Sequence, residues 1–246
     1  MGNSKTKGRI DYLDGTRALF SLIVVTHHFV YAFYPQVKKF LFTDGNLAVM
    51  FFFVLSGFVA GLSIYKKSYS GMNTFFEILK FPVRRYFRLL PVVAGTIIIS
   101  FVIYVCGGYF SQNAGEFYSL GWLSGYFALG NITVKEVIFT AFLGAFFSRP
   151  ELNSPLWTIK YEFVALSIAY ALVLMVYKWE YRRILYIIII VLFSSQFEIA
   201  GFETIYIACI IFGILISDLY NDHDSETCIW YKLKTIGGGV LLFGNL

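Results

Sequence analysis

Residues 46–65, NLAVMFFFVLSGFVAGLSIY, run for twenty positions without a charged side chain. About 20 predominantly apolar residues cross the hydrocarbon core of a bilayer as α-helix. A backbone polar group left unpaired in lipid costs several kcal/mol, so this stretch is predicted to be a helix that closes its own hydrogen bonds. Five more apolar runs, at 16–34, 91–107, 161–177, 184–200 and 203–220, repeat the pattern, and another begins near Ile236. The predicted fold class is therefore all-α, a polytopic transmembrane helical bundle with six spans and part of a seventh, in a single domain over 1–246.

Composition agrees. The chain is 58% apolar, 20% aromatic and only 14% charged, with positive mean hydropathy, where a soluble domain is about half apolar and a quarter charged. A net charge of +5 would suit nucleic acid, but the basic residues flank apolar runs, where they set membrane orientation. Fourteen of the 20 basic residues fall in segments assigned to the cytoplasm, five in outer segments and Arg17 within a span. By the positive-inside rule the N-terminus is expected in the cytoplasm. The opening MGNSKTKGRIDYLDG is polar and basic, unlike a secretory signal. Cys106, Cys209 and Cys228 are far apart, and no Cys/His group has metal-ligand spacing, so no metal is expected. The one long outer segment, 108–160, holds two apolar pieces, near 120–129 and 137–147, that are short for spanning and are expected to lie at the interface or re-enter. Residues 237–246 read as half a span, which implies a chain incomplete at its C-terminus.

The first span, GTRALFSLIVVTHHFVYAFYP, carries Arg17, His27 and His28. Ionisable groups at membrane depth are expensive, and function is their default reading. Arg17 and His28 are eleven residues apart, close to three helical turns, which places them on one face and roughly 16 Å apart along the axis. His27 points about 100° away. A neutral imidazole accepts protons near physiological pH, which makes His28 the candidate general base, with a carboxylate such as Glu162 to hold its tautomer. A structural alternative has Arg17 snorkelling to the interface and the histidines bonding to neighbouring helices.

Directly before the third predicted span stand Arg84, Arg85 and Arg88. Guanidinium forks match phosphate oxygens, so the cluster can hold a nucleotide-like donor such as acyl-CoA; equally, basic residues at a helix end orient the chain and meet anionic lipid. Glu162, at the start of the fourth span, is either a helix N-terminal charge or a cavity-lining carboxylate. Ser56 and Gly57 lie mid-span, where small residues permit close packing, and no nucleophile turn surrounds the serine.

Together these segments resemble the acyltransferase 3 family of multipass membrane O-acyltransferases. The likeness rests on Asp14-Gly15-Thr16-Arg17 followed by His28, on residues 52–58 (FFVLSGF), on Arg85, Arg88, Leu89 and Pro91, and on Trp157, Thr158 and Glu162, all in the family's order. It covers residues 11–165. It implies a transferase that moves an acyl group, acetyl above all, from cytoplasmic acyl-CoA to a hydroxylated acceptor: a glycan, a lipid-linked sugar or a small metabolite. No permanently bound cofactor is implied. His28 and Arg17 would be essential, and Arg85 and Arg88 would lie near the donor. Family members carry about ten spans, more than this chain shows. Two competing readings remain: a transporter with Arg17, His28 and Glu162 along a substrate or proton path, and a non-catalytic scaffold.

Overall fold

The computed structural model describes residues 11–34, 41–66, 71–119, 132–195 and 197–223. The predicted seventh span, the apolar piece at 120–129 and the basic residues Lys5, Lys7 and Arg9 lie outside them. The described chain is helical almost throughout: α1 (Asp11–Phe33), α2 (Gly45–Tyr65), α3 (Gly71–Val105), α4 (Ser111–Phe117), α5 (Val134–Phe142), α6 (Leu166–Val176), α7 (Arg182–Phe193) and α8 (Thr204–His223). A two-residue hairpin, β1 (Glu198–Ile199) with β2 (Phe202–Glu203), joins α7 to α8.

Among the described residues four helical stretches are long and apolar enough to cross a membrane: Gly45–Tyr65, Thr74–Val105, Ser154–Val176 and Thr204–Asn221. The predicted first span is helical as α1, 23 residues long, but it carries Arg17, His27 and His28 and stands outside that set. The predicted span at 184–200 is realised differently. Its helix, α7, has 12 residues, about 18 Å at 1.5 Å per residue, short of the ~30 Å hydrocarbon core, and it is followed by the β1–β2 hairpin. The third span is longer than predicted, since α3 has 35 residues and starts at Gly71. Pro82 and Pro91 lie inside it. Proline commonly marks a helix start, and here the helix continues on the N-terminal side of both.

The chain divides into two compact units. The first comprises Met1–Leu55 and Phe87–Lys160. In it Phe20 of α1 stacks on Phe51 of α2 with ring centroids 4.6 Å apart, and Ile23, Ala48 and Phe53 are buried. Asp44 caps α2 by accepting the Leu47 amide at 3.1 Å. The apolar piece at 137–147 becomes α5 and a 3-10 turn, opened by a reciprocal capping box between Thr133 and Glu136. Its nine residues reach well short of a bilayer's thickness.

The second unit comprises Ser56–Tyr86 and Tyr161–Leu246. Its core is α8, whose Ile210, Ile211 and Ile214 are buried. Gly57 lets α2 approach so closely that a Cβ there would overlap the Ile210 carbonyl oxygen. At the far end of the antiparallel α7–α8 pair, buried Asp218 accepts from Arg182 at 2.8 and 3.1 Å and from Arg183 at 2.8 Å. The Tyr65 and Tyr186 hydroxyls pair at 3.2 Å, and Phe81 stacks on Tyr170 at 3.8 Å.

Gly57→Ala is expected to lower stability by about 1–3 kcal/mol, the usual effect of overpacking, because backbone rather than a movable side chain stands in the way. Gly95→Ala, with nothing within 4 Å, should not lower it and is expected to raise it slightly, since it removes a glycine from a helix interior. Apparent melting temperatures of the detergent-solubilised variants check this; equal values would show that α2 and α8 are not closely packed at Gly57.

Candidate active site

Helix α1 is unbroken from Asp11 to Phe33, so the three-turn stripe that joins Arg17 to His28 holds. Arg17 Nη1 lies 3.4 Å from Asp14 Oδ1, and both side chains are about 40% exposed (39% and 41%). A pair so exposed contributes little to stability, which leaves the guanidinium accessible. His28 is half-buried. Its ring meets that of His27 edge-on, with centroids 5.4 Å apart.

His27 has a defined partner. Its Nδ1 sits 2.7 Å from the Thr43 carbonyl oxygen. A carbonyl only accepts, so Nδ1 carries the hydrogen and the tautomer is set. Gly45 makes room for this ring: a Cβ there would come within 2.5 Å of His27 Cδ2. Sequence reasoning sets His27 aside because it leaves the Arg17 stripe. The contact with Thr43 spans a loop and carries no mark in the local pattern.

A second group of polar residues lies wholly within the other unit. Residues Tyr161–Ala165 form a π-helical turn that contains Glu162, the kind of irregularity often found at functional positions. Arg85 grips Glu162 twice. Its Nη2 pairs with carboxylate Oε2, and its Nε donates to the Glu162 backbone carbonyl. The wide turn takes local carbonyls out of the α-helical ladder, and Arg85 supplies a donor to one of them. Ser56 Oγ donates to Glu162 Oε1 at 2.5 Å. Arg85 is 9% exposed and the Glu162 side chain 19%. The sequence places Arg85 among donor-binding arginines and Glu162 beside a histidine; the structure brings these two together, with Ser56 as a third member.

The neighbouring arginines differ in kind. Arg84 is largely exposed and faces Glu77 at 3.6 Å. Arg88 is exposed, and among the described residues it has no hydrogen bond or ion pair. Far along the chain, in the first unit, a cavity of about 280 Å³ is lined by Glu136, Phe139, Thr140, Arg149 and Glu151, among others. Thr133 hydrogen bonds, the backbone N–H first, hold the Glu136 carboxyl below the usual carboxylate range. Arg149 donates to Ser154 through Nε at 2.8 Å and through Nη2.

Four helical stretches of membrane-crossing length among the described residues define a polytopic membrane protein. The family model described as an acyltransferase domain, acyltransferase 3, matches residues 10–245, and the chain belongs to that family. The match extends well past residue 165, where the recognisable motifs end. Family membership makes the chain a membrane acyltransferase. No curated protein matches it, and no solved structure does.

Gly45→Ala should displace the His27 ring and lower acyl transfer several-fold while the amount of protein in the membrane stays constant. Unchanged transfer at matched membrane levels would show that the placement of His27 is immaterial.

Proposed function

We propose that the protein is a plasma-membrane O-acyltransferase with its N-terminus in the cytoplasm. It moves an acyl group, acetyl above all, from acyl-CoA to a hydroxyl of a glycan, a lipid-linked sugar or another hydroxylated acceptor. The observation that carries this reading, beyond family membership, is the alignment of Arg17 and His28 on one face of the unbroken helix α1. A transporter would explain intramembrane charge equally well, but membership in an acyltransferase family favours the enzyme.

In the proposed reaction neutral His28 takes the proton of the acceptor hydroxyl as that oxygen attacks the thioester carbonyl. The C–S bond breaks, the acyl group stays on the acceptor oxygen as an ester, and the departing CoA thiolate regains the proton from His28. Arg17, roughly 16 Å away along the same stripe and paired with Asp14 on the turn facing away from His28, is suited to an anionic group of the donor while its thioester reaches His28. Glu162 supplies a fixed, ionised carboxylate. Arg88, exposed on α3, is suited to the donor's phosphates. Arg85 belongs to the same donor motif, but its guanidinium is engaged by Glu162, so its contribution to the donor is indirect. On the acceptor side, the cavity between Glu136 and Glu151 offers carboxylate and hydroxyl partners to a polyhydroxylated, non-anionic group.

Mass spectrometry of envelope glycans and lipids tests the proposal, using cells that express the unaltered chain, its His28→Ala variant or neither, at matched membrane levels. An acyl mass gained only with the unaltered chain is expected; no gain, or an equal gain with His28→Ala, contradicts it. Arg88→Ala should weaken acetyl-CoA binding about tenfold, the scale of a lost charge-assisted hydrogen bond, whereas His28→Ala leaves it unchanged.

A further inference from the structure

Hydroxyl groups in helices usually turn back to a carbonyl three or four residues earlier. Ser21, Ser63 and Ser217 do so, donating to the carbonyls of Arg17, Ala60 and Ile214. Ser56 does not. Its hydroxyl reaches a carboxylate 106 residues away in sequence, Glu162 Oε1. The next residue, Gly57, lies against the Ile210 carbonyl with no room for a Cβ, so close packing fixes the backbone from which Ser56 projects. The Ser-Gly pair thus combines two functions: the glycine sets the depth of α2, and the serine uses that depth to meet Glu162.

We propose that Ser56 is a positioning residue for the acyl transfer, holding the Glu162 carboxylate ionised and in one orientation between its own hydroxyl and the Arg85 guanidinium. A carboxylate in a low-dielectric setting stays charged only when paired and hydrogen-bonded. Arg85 supplies the charge on Oε2 and anchors the backbone through the Glu162 carbonyl. That leaves Oε1, which Ser56 satisfies. With Oε1 unsatisfied, the carboxylate is freer to rotate about its side chain and easier to protonate. Ser56 itself forms no bond with substrate, and no acyl-serine is involved. The catalytic significance of this arrangement rests on the proposal above that acyl transfer uses Glu162 as a fixed, ionised carboxylate; the lock itself does not.

The lock is read without any substrate. Dicyclohexylcarbodiimide is lipid-soluble and modifies protonated carboxyls within membranes. Peptide mass spectrometry of the full chain in lipid nanodiscs then reports modification at Glu162. Glu162 should be protected in the unaltered chain, modified several-fold faster in Ser56→Ala, and protected again in Ser56→Thr, which keeps the hydroxyl. In cells, Ser56→Ala should lower envelope acylation about tenfold, Ser56→Thr should retain most of it, and acetyl-CoA affinity should be equal in all three chains. Equal modification of Glu162 in the unaltered and Ser56→Ala chains would overturn the proposal, as would a loss of acetyl-CoA affinity that parallels the loss of transfer. If no chain acylates anything while the protection pattern appears as expected, the lock stands and the acyltransferase role of Glu162 falls.

Discussion

A carboxylate and a guanidinium buried among apolar helices constrain everything near them. Glu162 and Arg85 are mostly buried, and the desolvation of two such ions amounts to several kcal/mol each unless geometry and further hydrogen bonds offset it. The second unit is arranged to provide that offset. Arg85 projects from the middle of α3, not from its end, and meets both the side chain and the backbone of one residue. The π turn at Tyr161–Ala165 presents that residue, and Ser56 closes the remaining carboxylate oxygen. Loss of any one member leaves a buried charge or a backbone carbonyl unsatisfied. Asp218 at the α7–α8 end follows the same rule, being 1% exposed and held by two arginines.

The histidine pair follows a different rule. His27 is held by a neutral carbonyl and seated against a glycine, which fixes a tautomer without introducing charge. His28 meets that ring at a steep angle, and among the described residues no hydrogen bond ties it down. The base proposed at His28, which takes and returns a proton, benefits from being the less constrained of the two, with a fixed neighbour to limit its motion. Arg17, tied loosely to Asp14 on a part-exposed surface, has similar freedom to turn toward another anionic partner.

Much of the fold is legible because lipid simplifies the reading: apolar length alone locates Gly45–Tyr65 and Thr204–Asn221. Charge and proline misplace the start of α3. Three arginines and Pro91 read as a helix boundary, yet tertiary partners such as Glu162 let the arginine-bearing segment remain helical. The apolar run at 184–200 is legible as hydrophobic but not as a short helix and hairpin, since periodicity does not distinguish them. Of the site, the Arg17–His28 stripe can be read from helical geometry because both residues lie on one helix. The Ser56–Glu162–Arg85 cluster cannot, because its members come from three separate segments and only tertiary packing brings them together. Adjacency to Gly57 marks Ser56 as a packing residue, which is correct for the glycine and incomplete for the serine.

If Arg85 and Glu162 form one buried unit, their removal must be non-additive. The direct measurement is a double-mutant cycle on the solubilised protein, comparing the apparent unfolding free energies of Arg85→Gln, Glu162→Gln and the double variant with the unaltered chain. Each single change leaves an uncompensated charge and should cost about 3–5 kcal/mol. The double change removes both charges, and its cost should be no greater than that of either single change. Additive costs, with the double variant near the sum of the two, would contradict the account and place Arg85 and Glu162 in separate environments.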